Sequence, residues 1–149
     1  MQKNFIFLIF IFLVACFPKV EIPAQNPLLE IPYETLNDSF SIRAPKFAHT
    51  NDIIKLKINS SSVQDILFRP DYQNKIFIYN KGIWEEVFHT PPECKLGNIL
   101  LTPNETNQFS LYPSLPNLKE TTLLRIYIFG NIVDSEKRVG AYTDIILKP

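Results

Sequence analysis

Glycine, cysteine and an excess of one charge sign are all scarce in this chain of 149 residues. Four glycines are few for a nucleotide-binding α/β fold, which needs Gly-rich turns between strand and helix. Twelve prolines interrupt the chain too often for long helices. Lys and Arg total 15 and Asp and Glu total 15, so zero net charge removes a strong electrostatic case for nucleic-acid binding.

Residues that could carry catalysis are equally few. The two histidines, His49 and His89, are the usual candidates for a base, and no serine lies in a Gly-x-Ser-x-Gly turn. His89 and Cys94 are five residues apart, but a structural zinc site normally needs four ligands. We therefore expect no enzyme activity, no metal site and no cofactor.

The N-terminus places one cation, Lys3, before an unbroken apolar run over residues 5–14. Ten apolar residues are about half of what a membrane span needs, and the layout is typical of a secretory signal. Leu13-Val14-Ala15-Cys16 then resembles the bacterial lipobox. That resemblance implies a lipoprotein signal peptide over residues 1–15, cleavage between Ala15 and Cys16, and a lipid on the Cys16 thiol. It also implies a location in the bacterial cell envelope, with the membrane bound through this anchor.

Three alternatives to the lipid anchor remain. An ordinary signal peptide can end near a cysteine by chance, and an uncleaved anchor is disfavoured by the short apolar run. The only two cysteines, Cys16 and Cys94, could instead form a disulfide if Cys16 carried no lipid.

Phe17 rather than Asp follows Cys16, which resembles the default for outer-membrane delivery in bacteria with two membranes.

Residues 16–35 are then expected to be the lipidated cysteine, as the resemblance implies, and a Pro-rich tether. Four prolines lie between positions 17 and 35, and the stretch shows no clear periodicity along its length. Nineteen residues at about 3.1 Å each could hold a domain up to roughly 60 Å from the lipid. The alternative is a first strand around residues 20–22 that docks on the domain.

From residue 36 to residue 149 the pattern changes to short β-type runs between turn residues. In the clearest run, Ile54, Leu56 and Ile58 alternate with lysines, as in a half-buried strand. Two further runs flank Asn80-Lys81-Gly82, which predicts a hairpin with a three-residue loop. We expect an all-β, antiparallel sandwich of about seven or eight strands, with Trp84 packed between the sheets. Nine runs are candidates for these strands, and they lie at residues 39–43, 53–59, 65–69, 75–79, 83–88, 98–101, 108–112, 123–129 and 140–148.

Several turn and core motifs in this region resemble bacterial immunoglobulin-like domains of exported proteins. They are Asn51-Asp52 before a strand, Ile76-Phe77-Ile78-Tyr79 with Gly82 and Trp84, Leu101-Thr102-Pro103-Asn104-Glu105-Thr106 with Phe109, and Leu124-Arg125-Ile126. The resemblance spans residues 39–148 and implies an immunoglobulin-like β-sandwich. Asn104 replaces the family's turn glycine, and Leu124 stands where the family usually has Tyr. The same layout occurs in small sandwiches related to intracellular proteinase inhibitors.

These signatures describe architecture and carry no catalytic residue. On such a scaffold the loops carry recognition, so Tyr72, His89, Pro91 and Pro92 are the candidate partner contacts. We expect a non-catalytic binding or structural module whose protein or glycan partner is unknown. The alternative is a proteinase inhibitor that uses the loop of residues 88–97.

Overall fold

The computed structural model describes residues 35–69, 74–87 and 97–149, and within them ten β-strands form two sheets packed face to face. The all-β sandwich is confirmed, with more strands than expected. In chain order the strands are β1 (Phe40–Arg43), β2 (Phe47–His49), β3 (Ile54–Ser60), β4 (Ile66–Phe68), β5 (Asn74–Asn80), β6 (Ile83–Val87), β7 (Ile99–Leu101), β8 (Thr106–Leu111), β9 (Thr122–Ile132) and β10 (Arg138–Lys148).

The small sheet has the order β1-β3-β8, and the large sheet is built around the long hairpin of β9 and β10. One side of β9 is shared by two strands, because β5 pairs with its first half and β4 with its second half. Strands β6 and β7 then pair with β5 and β4 respectively. Every pairing is antiparallel except that of β2 with β10, which is parallel. Strand β2 was not predicted, because it buries only one small residue, Ala48, between the exposed Phe47 and His49.

The core lies between the inner faces of the two sheets. Ile54, Leu56 and Ile58 on β3 are each at most 1% exposed, as their alternation with lysines predicts. Phe40 from the small sheet meets Phe68 from the large sheet edge-to-face, with ring centroids 4.9 Å apart. The two sheets are therefore joined by direct packing of aromatic and aliphatic side chains.

Two turns depend on residues in the left-handed region. Asn80 pairs directly with Ile83, so the β5–β6 loop has two residues, not the three expected. Lys81 and Gly82 in this loop have φ of 47° and 92°, which fits the two-residue hairpin turn that matches strand twist. The predicted turn at Asn104 is confirmed in its key feature, a φ of 62°.

Glu105 closes that second turn. Its backbone N–H donates to the Thr102 carbonyl at 3.1 Å, and its carboxylate accepts from the Thr102 N–H at 2.8 Å and hydroxyl at 3.0 Å. The two hydrogen bonds that the carboxylate accepts, above all the one from the Thr102 backbone N–H, lower the pKa of Glu105 because they favour the charged carboxylate. The side chain thus fixes the geometry of the connection between β7 and β8.

Candidate functional site

The outer face of the large sheet, which points away from the small sheet, carries a second cluster of buried side chains. Leu36, Phe77, Tyr127 and Phe129 form its centre, and Trp84 and Tyr142 pack against them. Tyr127 is 0% exposed and Phe129 is 1% exposed, values as low as those in the core. We call these six side chains, together with Arg125 and Asp144, the outer aromatic face.

Strand order and register bring these residues together. Tyr127 on β9 lies opposite Tyr142 on β10, and Phe77 on β5 lies opposite Arg125 on β9. Because residues directly opposite each other share a face, odd positions of β9 meet even positions of β10 on the outer side. The sheet therefore sets these side chains side by side across neighbouring strands.

Tyr127 is the centre of the ring contacts. Its ring lies 5.8 Å from that of Phe77 at nearly a right angle, and 5.7 Å from that of Tyr142 at a tilt. The Phe129 ring is 6.2 Å away and nearly parallel, at 2°. Contacts of this kind contribute about 0.5–1.5 kcal/mol each beyond the burial of area. The cluster is thus a packed structure in its own right.

Arg125 brings a charge into this apolar face. Its Nε donates to Asp144 Oδ1 at 2.7 Å and its Nη2 donates to Asp144 Oδ2 at 2.8 Å, a two-point contact. The guanidinium carbon lies 4.7 Å from the ring centre of Trp84 and 4.8 Å from that of Tyr142. Arg125 is 1% exposed, so its charge is surrounded by protein groups on several sides.

The protonation of Arg125 follows from these contacts. Burial disfavours the charged guanidinium, but hydrogen bonds to Asp144 and the charge of that carboxylate outweigh burial and raise the pKa of Arg125 above its usual range. A guanidinium between two aromatic rings also gains cation–π attraction. The site therefore holds a permanent cation in fixed orientation, which suits recognition or packing rather than proton transfer.

Trp84 lies on the outer aromatic face, so the expectation that it packs between the sheets is wrong. It lies opposite Tyr79 on β5, whereas Ile78, the residue before Tyr79 on that strand, faces the core. Successive strand residues point to opposite faces, which puts Trp84 outward. Within the described part of the chain, the buried Trp84 Nε1 finds no hydrogen-bond acceptor.

Sequence reasoning missed this face, although β9 signals it. Six of the seven residues at positions 123–129 are apolar, without the alternation expected of a strand with one solvated face. Nearly continuous apolar runs are typical of strands that are buried on both sides. In the structure each of these seven residues is buried.

The site residues expected from the sequence lie outside the described residues: Ala15, Cys16, Tyr72, His89, Pro91 and Pro92. Two of the undescribed segments, residues 70–73 and 88–96, are bounded by strands that are neighbours. The first lies between β4 and β5, the second between β6 and β7, and these strands pair as β4–β7 and β5–β6. The order of the strands therefore brings the ends of both segments to one region of the sheet.

Among residues 35–69, 74–87 and 97–149, no three His, Cys, Asp or Glu side chains are grouped so that they could hold a metal ion. The same residues include no helix that is both long and apolar enough to span a membrane. His49, one of the two candidate bases, donates a hydrogen bond from its Nδ1–H to the backbone oxygen of Pro149 at 2.9 Å.

The described residues define the chain as an all-β sandwich of two packed sheets. No protein-family model and no curated protein sequence matches it. Among solved structures it is similar to a PapD-like domain of human CEP192, with 8% identity and a TM-score of 0.44 over 86% of this chain and 96% of that one.

Two archaeal structures show a similar degree of likeness. One is the superoxide reductase neelaredoxin from Ignicoccus hospitalis, with 13% identity and a TM-score of 0.38 over 74% of this chain and 80% of that one. The other is the archaellum periplasmic stator protein FlaG from Sulfolobus acidocaldarius, with 11% identity and a TM-score of 0.40 over 70% of this chain and 97% of that one. All three are distant likenesses to small β-sandwiches.

Proposed function

We propose that this protein is a lipid-anchored lipoprotein of a bacterial cell envelope, in which the sandwich acts as a non-catalytic binding or structural module. The observation that carries the proposal is Leu13-Val14-Ala15-Cys16 at the end of the apolar run over residues 5–14. A short basic start, a short apolar run and small residues before the cleavage point are the features that export machinery recognises.

The physical purpose of such an anchor is retention at a membrane surface. Each buried CH₂ group of an acyl chain contributes about 0.8 kcal/mol, so two or three chains hold a domain that one chain would hold only reversibly. Phe17 after Cys16 extends the proposal to the outer membrane where the bacterium has two membranes. The tether begins at this point and leads to the described sandwich at Thr35.

A binding role is supported by the scaffold. A sandwich of two packed sheets is a rigid support for loops, and the proposed contacts Tyr72, His89, Pro91 and Pro92 fall in two segments that interrupt neighbouring strand pairs. Aromatic and proline side chains in loops suit contact with a protein or a glycan of the envelope. The partner itself is left open in this proposal.

The anchor is tested by Cys16→Ala in the full-length chain. We expect the variant to lose palmitate labelling and to leave the membrane fraction, or to accumulate as an unprocessed precursor. Cys94→Ala is the matched control, because it removes the only other thiol and should leave labelling and fractionation unchanged. Palmitate labelling that survives Cys16→Ala would overturn the proposal.

A further inference from the structure

The outer aromatic face is buried on a side of the sandwich where the described residues form no complete layer. Leu123 is 3% exposed, Tyr127 is 0% exposed and Phe129 is 1% exposed, although all three point away from the small sheet. Among the side chains that the structure describes, Leu36 is the one from outside the sheet that joins this cluster. A further segment is needed to cover the face.

The described chain begins on this same face. The Asn37 N–H donates to the Gly140 carbonyl at 3.0 Å, and Asn37 Oδ1 accepts from the Tyr142 N–H at 3.0 Å. Leu36 is 6% exposed and packs with Tyr127. The residues immediately before Thr35 therefore start their path at the outer aromatic face, next to β10.

The sequence of residues 28–34, Leu-Leu-Glu-Ile-Pro-Tyr-Glu, suits such a face. Leu29, Ile31 and Tyr33 alternate with polar residues or Pro32, so an extended chain would turn all three to one side. Pro32 is compatible with this arrangement, because a segment that lies across a sheet face packs through side chains and needs no ladder hydrogen bonds.

The charges of residues 28–34 and of the outer face of the large sheet are also complementary. The outer face of the large sheet carries more cations than anions among its described residues, whereas the segment of residues 28–34 carries two carboxylates and no cation. Charge complementarity of this kind favours one orientation and suppresses wrong ones. The cations of the face are Lys75, Arg125, Arg138 and Lys148, and its anions are Glu86 and Asp144.

The segment of residues 28–34 is also long enough to cross this face. Seven extended residues span about 23 Å. Strands in a sheet lie about 4.8 Å apart, so the distance from β10 across β9 and β5 to β6 is about 14 Å. The segment can therefore reach from Leu36 to Trp84 on the far side of the cluster.

We propose that residues 28–34 dock on the outer aromatic face and cover it, with Leu29, Ile31 and Tyr33 against the rings. The segment forms a third layer over the large sheet and leaves only residues 17–27 as a spacer. This inference concerns packing within the chain and does not depend on what Cys16 carries, so it can fail or hold independently of the lipid anchor.

A protease that cuts after glutamate tests the docking at the Glu30–Ile31 bond. The reference is a synthetic peptide of residues 26–36, in which the same bond has the same neighbours but no sheet to dock on. We expect this bond in the full-length chain, solubilised in detergent, to be cut at least about tenfold more slowly than in the peptide, since docked segments resist proteolysis. Equal rates would overturn the proposal.

Two substitutions sharpen the result without altering Leu29-Glu30-Ile31-Pro32. Tyr33→Asp should bring the cleavage rate close to that of the peptide, because it places a charge against apolar rings, and Tyr33→Phe should keep the protection. Val20-Glu21-Ile22-Pro23 carries a second Glu-Ile-Pro sequence, so the Glu21–Ile22 bond serves as an internal reference and should not change between the variants.

The only tryptophan gives a second readout. Trp84 lies at the edge of the outer aromatic face, so Tyr33→Asp should shift its emission to the red while Tyr33→Phe leaves it unchanged. Protection of the Glu30–Ile31 bond that survives Tyr33→Asp would contradict the proposal. Protection that disappears on dilution would assign the cover to a second copy of the chain, and would equally overturn docking within one chain.

Discussion

Any side chain at Gly130 would overlap its neighbours, and replacing this glycine provides a sharp test of the packing. It lies within β9, opposite Phe68 on β4, and its Cα faces the core. A Cβ atom built there would lie 2.7 Å from Ile66 Cγ2 and 2.9 Å from Phe68 Cε1. Ordinary contacts between carbon atoms are about 3.5–4.0 Å, so a methyl group would overlap both neighbours by roughly 1 Å.

The neighbours have little room to yield. Ile66 is 0% exposed and Phe68 is 1% exposed, and Phe68 is held edge-to-face against Phe40. Extra volume in a well-packed core costs about 1–3 kcal/mol through shifted side chains and backbone. Gly130→Ala gains up to about 1 kcal/mol through reduced freedom of the unfolded chain, which offsets only part of this cost. We expect a net loss of about 1–2 kcal/mol.

Urea unfolding of the purified chain measures this loss as a lower midpoint with an unchanged slope. Gly97→Ala is the matched control, because a Cβ at Gly97 meets nothing within 4 Å and should leave stability equal or slightly higher. A second variant, Phe68→Leu, removes the ring atoms that clash, so its effect combined with Gly130→Ala should be smaller than the sum. Equal stability of Gly130→Ala and Gly97→Ala would refute the packing.

Three further predictions concern the outer aromatic face and the β7–β8 turn. Asp144→Ala should destabilise the fold by about 3 kcal/mol because it removes the carboxylate that pairs with the buried charge of Arg125, and replacing both residues by Met and Leu should recover most of that loss in the same urea assay. Asn104→Ala should cost about 1 kcal/mol because Asn104 has a positive φ of 62°, whereas Asn104→Gly should be neutral, as thermal unfolding of both would show. Glu105→Gln should make the free energy of unfolding fall less steeply as the pH is lowered. The pKa of Glu105 in the folded chain lies below its ordinary value of 4.5, so its contribution to stability is present above that pH and is lost as the pH falls through the folded-state pKa. A stability curve between pH 5 and 3 that is identical for Glu105→Gln and the unchanged chain would contradict this.

Strand β3 and the turn at Asn104 could be predicted from the sequence because each obeys a local rule. Alternation of Ile54, Leu56 and Ile58 with lysines shows that β3 has one solvated face, and the structure confirms it. Asn104 signals the turn through its own tolerance of the left-handed region. In both cases the residues that allow the prediction are the same residues that stabilise the strand or the turn.

The outer aromatic face was not readable in this way because its members belong to different strands. Phe77 and Tyr127 are fifty positions apart, and only the pairing of β5 with β9 brings them together. Arg125 looks like an ordinary solvated strand residue in the sequence, and its burial depends on Asp144 and two rings supplied by other strands. Such a site follows from register, which the local pattern of one strand does not determine.

Docking of residues 28–34 and lipidation of Cys16 together set how far the sandwich can lie from a bilayer. With the whole stretch from residue 17 to residue 35 extended, the reach is roughly 60 Å. With residues 28–34 held on the outer aromatic face, eleven residues remain between Cys16 and the docked segment, and these span about 34 Å. The anchor then approaches the domain from the side of the large sheet, because Leu36 and Asn37 fix the chain there. If both proposals hold, the chain runs from the outer face of the large sheet toward the membrane.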